Sequence, residues 1–429
     1  MIDHGHVAAF FTVVWTSIDP GTVIAEVQAP HHRASGGLRP NNTLETLKMK
    51  TKFLAATLLA VTFPAVHAVD IKAGDWTVTV GGNINAFYTS SDCGKAAGTV
   101  GGLSLGDATL ACGGKDKSAV IGNGLLPSTL NVGARTNESG YDIAALIGIG
   151  VATATGSAIA QNSTVDVRTA SLTFGNKDVG TFKLGRDYGL YGLNAVLSDM
   201  TLLGVGAATR ATQDGRVSLG HLGSGYTFAG TYGQLAYTSP NMGGFSVDLG
   251  IFNPVDVTLG PTNTAGTSPA FQARATFAGQ GFKAWIANKS QSFDRSSPSA
   301  TDSFSMNAME VGGSVDLGNF GLIGNYQNGT GVGILSDGDQ GNMKGTNTFV
   351  QATYKLTDRV KIGLGMGKSE NDTGTGNGLK SNENTTAAVY FNLTKSLTLV
   401  GEVGQTKSKA FNNAEATQNS YSFGGIFFF

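Results

Sequence analysis

Histidine is the side chain best suited to acid and base chemistry at neutral pH, and its distribution in this chain is uneven. The sequence has six histidines, and His221 is the only one that follows residue 67. No G-x-S-x-G turn or H-E-x-x-H pair surrounds it. We therefore expect His221 to be a solvated loop residue rather than a catalytic group. A metal site would need carboxylates alone, so we expect no metal and no other cofactor.

The segment GLGMGKS at 363–369 looks like a phosphate-binding loop but fails the motif. A phosphate loop needs a leading glycine where this chain has Ile362, so we interpret the segment as a glycine-rich strand. After residue 68 the chain has 24 Lys and Arg against 26 Asp and Glu. A net charge of −2 argues against nucleic acid as a partner.

Two cysteines, Cys93 and Cys112, enclose a glycine-rich stretch. An even number of cysteines in an exported protein favours a disulfide over two free thiols. Closing a loop of this size would contribute about 3 kcal/mol by the loop-entropy model. We expect the bond to restrain one long surface loop rather than to hold the fold.

The sequence around Met49 has the form of a secretory signal peptide. Lys50 and Lys52 precede an apolar run from 53 to 63, and Val-His-Ala at 66–68 has the small-x-small form of a cleavage site. The apolar run is shorter than the roughly 20 residues that span a bilayer as a helix. We predict a signal peptide at 49–68, a mature chain from 69 to 429, and a mis-assigned N-terminal extension at 1–48.

The mature chain alternates apolar and polar residues with a period of two. The sequence has 62 glycines and 14% charged residues, and no second apolar run of 18 residues follows Ala68, which excludes an all-helical membrane protein. In 76–88, Trp76, Val78, Val80, Ile84 and Tyr88 share one face, with polar residues between them. Similar segments recur to the C-terminus and come close to sixteen strands of roughly 10 residues.

The connections between these strands alternate in length, as a transmembrane barrel requires. Turns such as 357–359 and 394–396 are brief. The long connections are rich in Gly, Asn, Ser and Asp, and we place them at 89–127, 187–229, 253–269, 289–305, 328–346, 369–384 and 407–418.

The last residues, NSYSFGGIFFF at 419–429, place aromatic side chains at alternate positions: Tyr421, Phe423, Phe427 and Phe429. In a soluble protein such a terminus would be an aggregation hazard. On a transmembrane barrel the same row is the lipid-facing side of a strand. We expect this last strand to pair with the strand that begins near Trp76 and so to close the barrel.

Three segments resemble the general trimeric porins of Gram-negative outer membranes. VRTASLTFGNKDVGTFKLGRDYGLYG at 167–192 is similar to the fourth and fifth strands of that family and the entry to its third loop. AYTSPNMGGFSVDLGIF at 236–252 is similar to a later strand pair. The hairpins containing YKLTDRVKIG and FNLTKSLTLV are similar to those near the family's C-terminus.

The resemblance implies an all-β, sixteen-stranded antiparallel barrel, a homotrimer, and a third loop that folds into the lumen. It places Arg186 on the lumen wall, where the alternative is a structural ion pair to the loop. It makes Asp199 the central acid of a loop running from Asp187 to about Gln213; the alternative is a solvated carboxylate. The two other basic wall positions of the family fall on Asn131 and Thr231 here, which argues against a strong anion preference. The possible substitutes in the constriction are Arg168, Lys183, Arg210 and Arg216.

The same resemblance implies an outer-membrane channel for passive diffusion of small hydrophilic solutes and ions, set among outer-membrane lipid. The alternative is a channel selective for a sugar, a phosphate or an organic anion, and a structural or adhesive barrel is less favoured. An enzyme is not expected, because His221 alone supplies no catalytic dyad. The resemblance also implies that the terminal residues, with Phe429 last, are recognised by the barrel assembly machinery.

The predicted leader gives a direct test. We expect the exported protein to begin at Val69, because signal peptidase cleaves after small residues such as Ala68. The intact mass of protein isolated from outer membranes should equal that of residues 69–429 with one disulfide. A mass that includes residues 1–48 would contradict both boundaries.

Overall fold

The computed structural model describes residues 68–95, 98–155, 165–210, 217–260, 262–298 and 300–429. Over these residues the alternating segments form sixteen wall strands of one antiparallel sheet. The predicted extension, and the predicted signal peptide apart from Ala68, lie outside them. The strands are β1 (Trp76–Asp92), β2 (Ser128–Glu138), β3 (Tyr141–Val151), β4 (Asp166–Asn176), β5 (Gly180–Tyr188), β6 (Thr231–Thr238), β7 (Phe245–Phe252), β8 (Ala270–Gly279), β9 (Phe282–Asp294), β10 (Phe304–Leu317), β11 (Phe320–Thr330), β12 (Lys344–Lys355), β13 (Val360–Asn371), β14 (Leu379–Asn392), β15 (Leu397–Ala410) and β16 (Glu415–Phe428).

The sheet closes on itself between its first and last wall strands. Each strand pairs with its neighbour in sequence, and β16 pairs with β1 from Asn83↔Phe428 to Asp92↔Asn419. A short strand, Val69–Ala73, pairs with the remaining part of β1 beyond the end of β16. The predicted sixteen-stranded barrel and its closing pair are confirmed. Closure gives each of the sixteen wall strands a partner on both sides.

The two faces of the wall differ in chemistry. Outward positions carry exposed apolar side chains such as Leu130, Ile147 and Leu235. Inward positions carry buried polar ones. In β16 the predicted row is confirmed, since Tyr421 and Phe423 are 53% and 61% exposed while Ile426, on the opposite face, is 1% exposed.

The rims of the barrel differ as predicted, but several long connections are shorter than expected. The β15–β16 connection spans only 411–414, because β15 continues to Ala410 and β16 begins at Glu415. Likewise β13 continues to Asn371 and β14 begins at Leu379. Beyond the apolar band both faces of a strand are polar, so alternation disappears and the strand resembles a loop in sequence.

The β1–β2 connection contains the disulfide. Cys93 and Cys112 are bonded, with 2.06 Å between their sulfur atoms. The one-turn helix α1 (Ala108–Ala111) begins at Asp107, whose carboxylate accepts hydrogen bonds from the N–H groups of Gly98 and Thr109. Burial raises the pKa of Asp107, but these hydrogen bonds outweigh it and hold the pKa below its usual value.

None of the helices in the described part of the chain is long and apolar enough to cross a membrane.

The C-terminal residue takes part in closure through its backbone. The N–H of Phe429 donates to the carbonyl of Gly82 (3.1 Å), and the N–H of Gly82 donates to the carbonyl of Phe429 (2.8 Å). Deleting Phe429 removes both bonds and the terminal ring, so we expect less assembled barrel in the outer membrane. Phe429→Ala keeps the backbone bonds and should give an intermediate yield. Wild-type amounts of heat-modifiable protein on gels after the deletion would contradict this role.

Candidate functional site

The β5–β6 loop (residues 189–230) is the longest connection between wall strands and the strongest candidate for a functional element. Its described residues include helix α2 (Leu193–Ser198), a 3₁₀ turn (Met200–Leu203) and a small two-stranded hairpin (Ala207–Ala208 with Ser218–Gly220). Many of these residues are buried, although the segment belongs to no wall strand. Buried loop backbone must find hydrogen-bond partners inside the protein.

Those partners are inward-facing side chains of the wall. At β8, the Oε1 atom of Gln272 accepts hydrogen bonds from the N–H groups of Leu190 (2.8 Å) and Tyr191 (3.0 Å). Further acceptors continue along the wall to β15: Glu310 for Gly192, Gln327 for Thr227, Gln351 for Met200, Ser369 for Gly225, and Glu402 for Val205 and Gly206. The loop is therefore held through its backbone by oxygen atoms on strands across the barrel.

The contact at β15 is a buried carboxylate. Glu402 accepts from the N–H groups of Val205 (2.7 Å) and Gly206 (2.9 Å). The hydroxyl of Tyr390, on the adjacent strand β14, donates to the carbonyl of Met200 (2.9 Å). A charged acceptor makes stronger hydrogen bonds than a neutral one, so this end of the loop is firmly anchored.

A second buried cluster ties the loop to itself. The carboxylate of Asp199 lies 2.9 Å from Nδ1 of His221 and accepts a hydrogen bond from the hydroxyl of Tyr226 (2.6 Å) and another from the N–H of Thr201 (2.8 Å). His221 and Asp199 are 0% and 3% exposed. The prediction that His221 is solvated is wrong, because the loop packs against Phe349 of β12, whose ring lies 4.7 Å from the imidazole.

The cluster also changes the interpretation of Asp199. Burial raises its pKa, but the charge and hydrogen bonds supplied by His221, Tyr226 and Thr201 outweigh burial and hold the pKa below the usual value. Burial, followed by the charge of Asp199, raises the pKa of Tyr226 well above its usual value. Asp199 is thus a structural carboxylate of the loop interior. The alternative of a solvated carboxylate is excluded by its burial.

The register of β5 corrects the placement of Arg186. Arg186 lies opposite Ala170 of β4 and Gly233 of β6. It shares its face with Phe182 and Leu184, which is the outward face, and its side chain is exposed. The expectation of a lumen-wall cation at this position is therefore wrong. The alternation Phe182, Leu184, Arg186 already carried this signal in the sequence.

The other predicted constriction residues do not gather at one point. Lys183 is inward on β5 and forms an ion pair with Asp187 (2.5 Å). Arg168, beside a bulge in β4, pairs with Asp166 (2.6 Å). Arg210 is exposed, and its backbone N–H donates to the carbonyl of Leu110. Arg216 lies outside the described residues.

Inward cations that the sequence analysis missed occur on the second half of the wall. Arg274 of β8 pairs with Asp248 of β7 (2.9 Å), and both are buried. Lys283 of β9 donates to Oδ1 of Asn194 in helix α2 (2.7 Å) and lies over the ring of Trp285. A charged residue at an inward position of an alternating strand is the signal that would have found them.

The β11–β12 connection (331–343) packs against the β5–β6 loop. The N–H of Phe228 donates to the carbonyl of Leu335 (3.0 Å). Asp337 accepts from the hydroxyl of Tyr232 (3.0 Å) and pairs with Lys289 of β9. Two long connections are thus linked to each other and to the wall.

No group of histidine, cysteine and acidic side chains suited to a metal ion occurs among the residues that the structure describes. The candidate site is therefore a set of inward charges and a loop bound to the wall, which can act on a solute through shape and electrostatic field.

A family model described as Gram-negative porin matches residues 55–410. No protein of curated function matches the chain by sequence.

Three solved structures illustrate the similarity of fold at low sequence identity. An anion-selective porin from Comamonas acidovorans is 14% identical with a TM-score of 0.59, over 82% of this chain and 100% of its own. The outer membrane channel DcaP of Acinetobacter baumannii is 15% identical with a TM-score of 0.61, over 84% and 99%. Salmonella typhi OmpF in complex with daunomycin is 13% identical with a TM-score of 0.57, over 84% and 100%. At such identities the likeness concerns the fold.

The anchor at Glu402 yields a prediction. Glu402→Ala leaves the N–H groups of Val205 and Gly206 without their acceptor, a loss of about 1–3 kcal/mol. We expect the backbone amides of 200–208 to exchange hydrogen for deuterium about tenfold faster or more. Mass spectrometry of the purified protein measures this rate.

Glu383→Ala is the matched control, because Glu383 is an outward residue of β14 that pairs with Lys368 at 3.6 Å. It should leave exchange in 200–208 unchanged. Equal exchange in wild type and Glu402→Ala would show that the carboxylate does not anchor the loop.

Proposed function

The chain belongs to the family of Gram-negative porins, and on that premise we propose how its channel is narrowed, charged and assembled. The protein is an outer-membrane porin, a water-filled channel for passive diffusion of small hydrophilic solutes and ions. A closed barrel of sixteen strands is wide enough for an aqueous path.

We propose that the β5–β6 loop lies in the lumen and forms the constriction. The support is its set of hydrogen bonds to inward-facing side chains from β8 round to β15. A segment bound to the inner face of so many strands occupies part of the cross-section. The loop therefore limits the size of the solute that can pass.

We propose that the channel has a weak preference for anions. Several acids that face the lumen are paired or accept loop N–H groups: Asp248 with Arg274, Asp337 with Lys289, and Glu402 with Val205 and Gly206. Asp316, an inward residue of β10, forms no ion pair among the described contacts. Inward lysines Lys283, Lys355 and Lys361 form no ion pair among the described contacts. Unbalanced positive charge in a water-filled neck with low-dielectric walls attracts anions.

Selectivity for one sugar, phosphate or organic anion remains the alternative, and it would depend on the same inward residues. We infer no enzymatic role, because the imidazole and carboxylate most suggestive of catalysis, His221 and Asp199, are buried in the loop and hydrogen-bonded to each other. A structural or adhesive barrel would pass no solute, which distinguishes it from either channel.

We propose a homotrimer, with the short-walled side of the barrel as the subunit contact. Strands β6 and β7 have 8 residues each, whereas β14, β15 and β16 have 14. A tilted strand of eight residues rises about 19 Å along the barrel axis, which is less than the height of the apolar band, roughly 25 Å. A wall this low would leave part of the bilayer facing loops. Another copy of the chain would cover it, and would also shield the outward Arg186 from lipid.

We propose that residues 49–68 direct export by the general secretory route, that 1–48 are absent from the mature protein, and that 69–429 form the barrel in the outer-membrane lipid. The C-terminal row ending at Phe429 would be the segment that the barrel assembly machinery recognises. Its position at the closing seam supports this role.

The channel and its charge can be tested together in planar bilayers. Purified protein should give ohmic single-channel currents in KCl. In a salt gradient, the zero-current potential should have the sign expected for a channel that passes anions more readily than cations. Lys283→Gln keeps a donor for Asn194 but removes one charge. We expect it to lower the anion-to-cation permeability ratio about twofold, the effect of a unit charge acting through some 10 Å of water.

Lys368→Gln is the matched control, since Lys368 is an outward residue of β13 paired with Glu370 (2.9 Å). It should leave the potential unchanged. Absence of any current would refute the channel, and an unchanged potential for Lys283→Gln would remove Lys283 from the filter.

A further inference from the structure

Two lysines lie directly opposite each other on the inner wall, near the rim of short turns. Lys355, at the end of β12, is the register partner of Lys361, at the start of β13. Both occupy inward positions, because Val350, Ile362 and Leu364 mark the outward face of these strands. Like charges in directly opposite positions of a sheet are destabilising, so the pair calls for a compensating group.

Strand β14, the neighbour of β13, places an aromatic ring beside Lys361. Tyr390 of β14 is the register partner of Lys361, and the Nζ atom of Lys361 lies 4.9 Å from the centre of its ring. The hydroxyl of Tyr390 donates to the carbonyl of Met200. The pair therefore lies beside the 3₁₀ turn of the β5–β6 loop, where that loop meets the wall.

The nearest carboxylate in sequence is Asp358, in the short turn that joins the strands of the two lysines, and no ion pair joins it to either lysine among the described contacts. Glu402 accepts the N–H groups of Val205 and Gly206. Asp316 is an inward residue of β10, two strands from Lys355, which is roughly 10 Å at the spacing of strands in a sheet. No ion pair of Lys355 or Lys361 is found in the described part of the chain. Two positive charges thus share one small area of the lumen wall.

We propose that Lys355 and Lys361 form a binding site for small multivalent oxyanions, with inorganic phosphate as the simplest member. The Cβ atoms of opposite residues lie about 5 Å apart, so two ammonium groups can converge on the oxygen atoms of one anion. The ring of Tyr390 holds Lys361 on one side and leaves its other donors free. This inference rests on the proposed function and names a solute class for it.

Phosphate should compete with chloride in this channel. We expect phosphate, added at neutral pH on the side of the short turns, to reduce the single-channel chloride current in planar bilayers. Lys361→Gln and Lys355→Gln should each raise the half-blocking concentration about tenfold, the loss of one charge-assisted hydrogen bond. Lys361→Arg keeps the charge and should remain within about twofold of wild type.

Lys177→Gln is the matched control, because Lys177 lies in a short turn at the same rim, is 86% exposed and pairs with Asp178. The phosphate concentration that halves the chloride current should be the same for Lys177→Gln as for wild type. Equal block of wild type and Lys361→Gln, or no block of wild type, would overturn the site while leaving the channel intact.

Phosphorus NMR provides a readout without current. Line broadening of inorganic phosphate by the purified protein should be lost in the Lys355→Gln, Lys361→Gln double variant. Broadening retained in the double variant would refute the site. Wild-type broadening without any chloride current would support the site and refute the proposed channel.

Discussion

A backbone N–H or C=O group that faces hydrocarbon has no water to bond to, and the architecture of this protein follows from that constraint. Each wall strand satisfies its backbone through two neighbours, and the last strand must therefore meet the first. The seam between β1 and β16 extends to the final residue, since Phe429 exchanges two hydrogen bonds with Gly82. The short strand Val69–Ala73 continues the seam where β16 ends. Closure thus uses both ends of the described chain.

The need of buried backbone groups for hydrogen-bond partners also explains how the β5–β6 loop is held. Many of its described residues are buried, and only α2, the 3₁₀ turn and the small hairpin are regular, so the remaining N–H groups need other acceptors. The wall provides them as single oxygen atoms on successive strands, two of them carboxylates, Glu310 and Glu402. Inside the loop, Asp199 accepts from His221, Tyr226 and Thr201. The most suggestive trio of titratable groups in the chain is therefore a structural cluster.

Alternation determines the position of charge as well as of apolar side chains. On the inward face, most acids have a nearby cation, as Asp248 has Arg274 and Asp337 has Lys289. Other inward lysines form no ion pair among the described contacts: Lys283 donates to Asn194, and Lys361 lies over the ring of Tyr390. The residual field in the lumen depends on these exceptions rather than on the net charge of the chain.

Local alternation in the sequence determined the fold class, a count close to sixteen strands and the lipid-facing row of Tyr421, Phe423 and Phe427. The resemblance to porins gave the number sixteen, and the closing pair followed from the need to leave no open edge. The alternation of Phe182, Leu184 and Arg186 was also available, but the family motif predicted a lumen-wall position for Arg186, and only the register of β5 corrected it. Only the tertiary structure decided the length of the outer strands, since alternation is lost above the apolar band. It also decided that His221 and Asp199 are buried and that Gln272, Glu310 and Glu402 bind the loop. Those contacts join residues between 22 and 197 positions apart, and no periodicity encodes which of them meet.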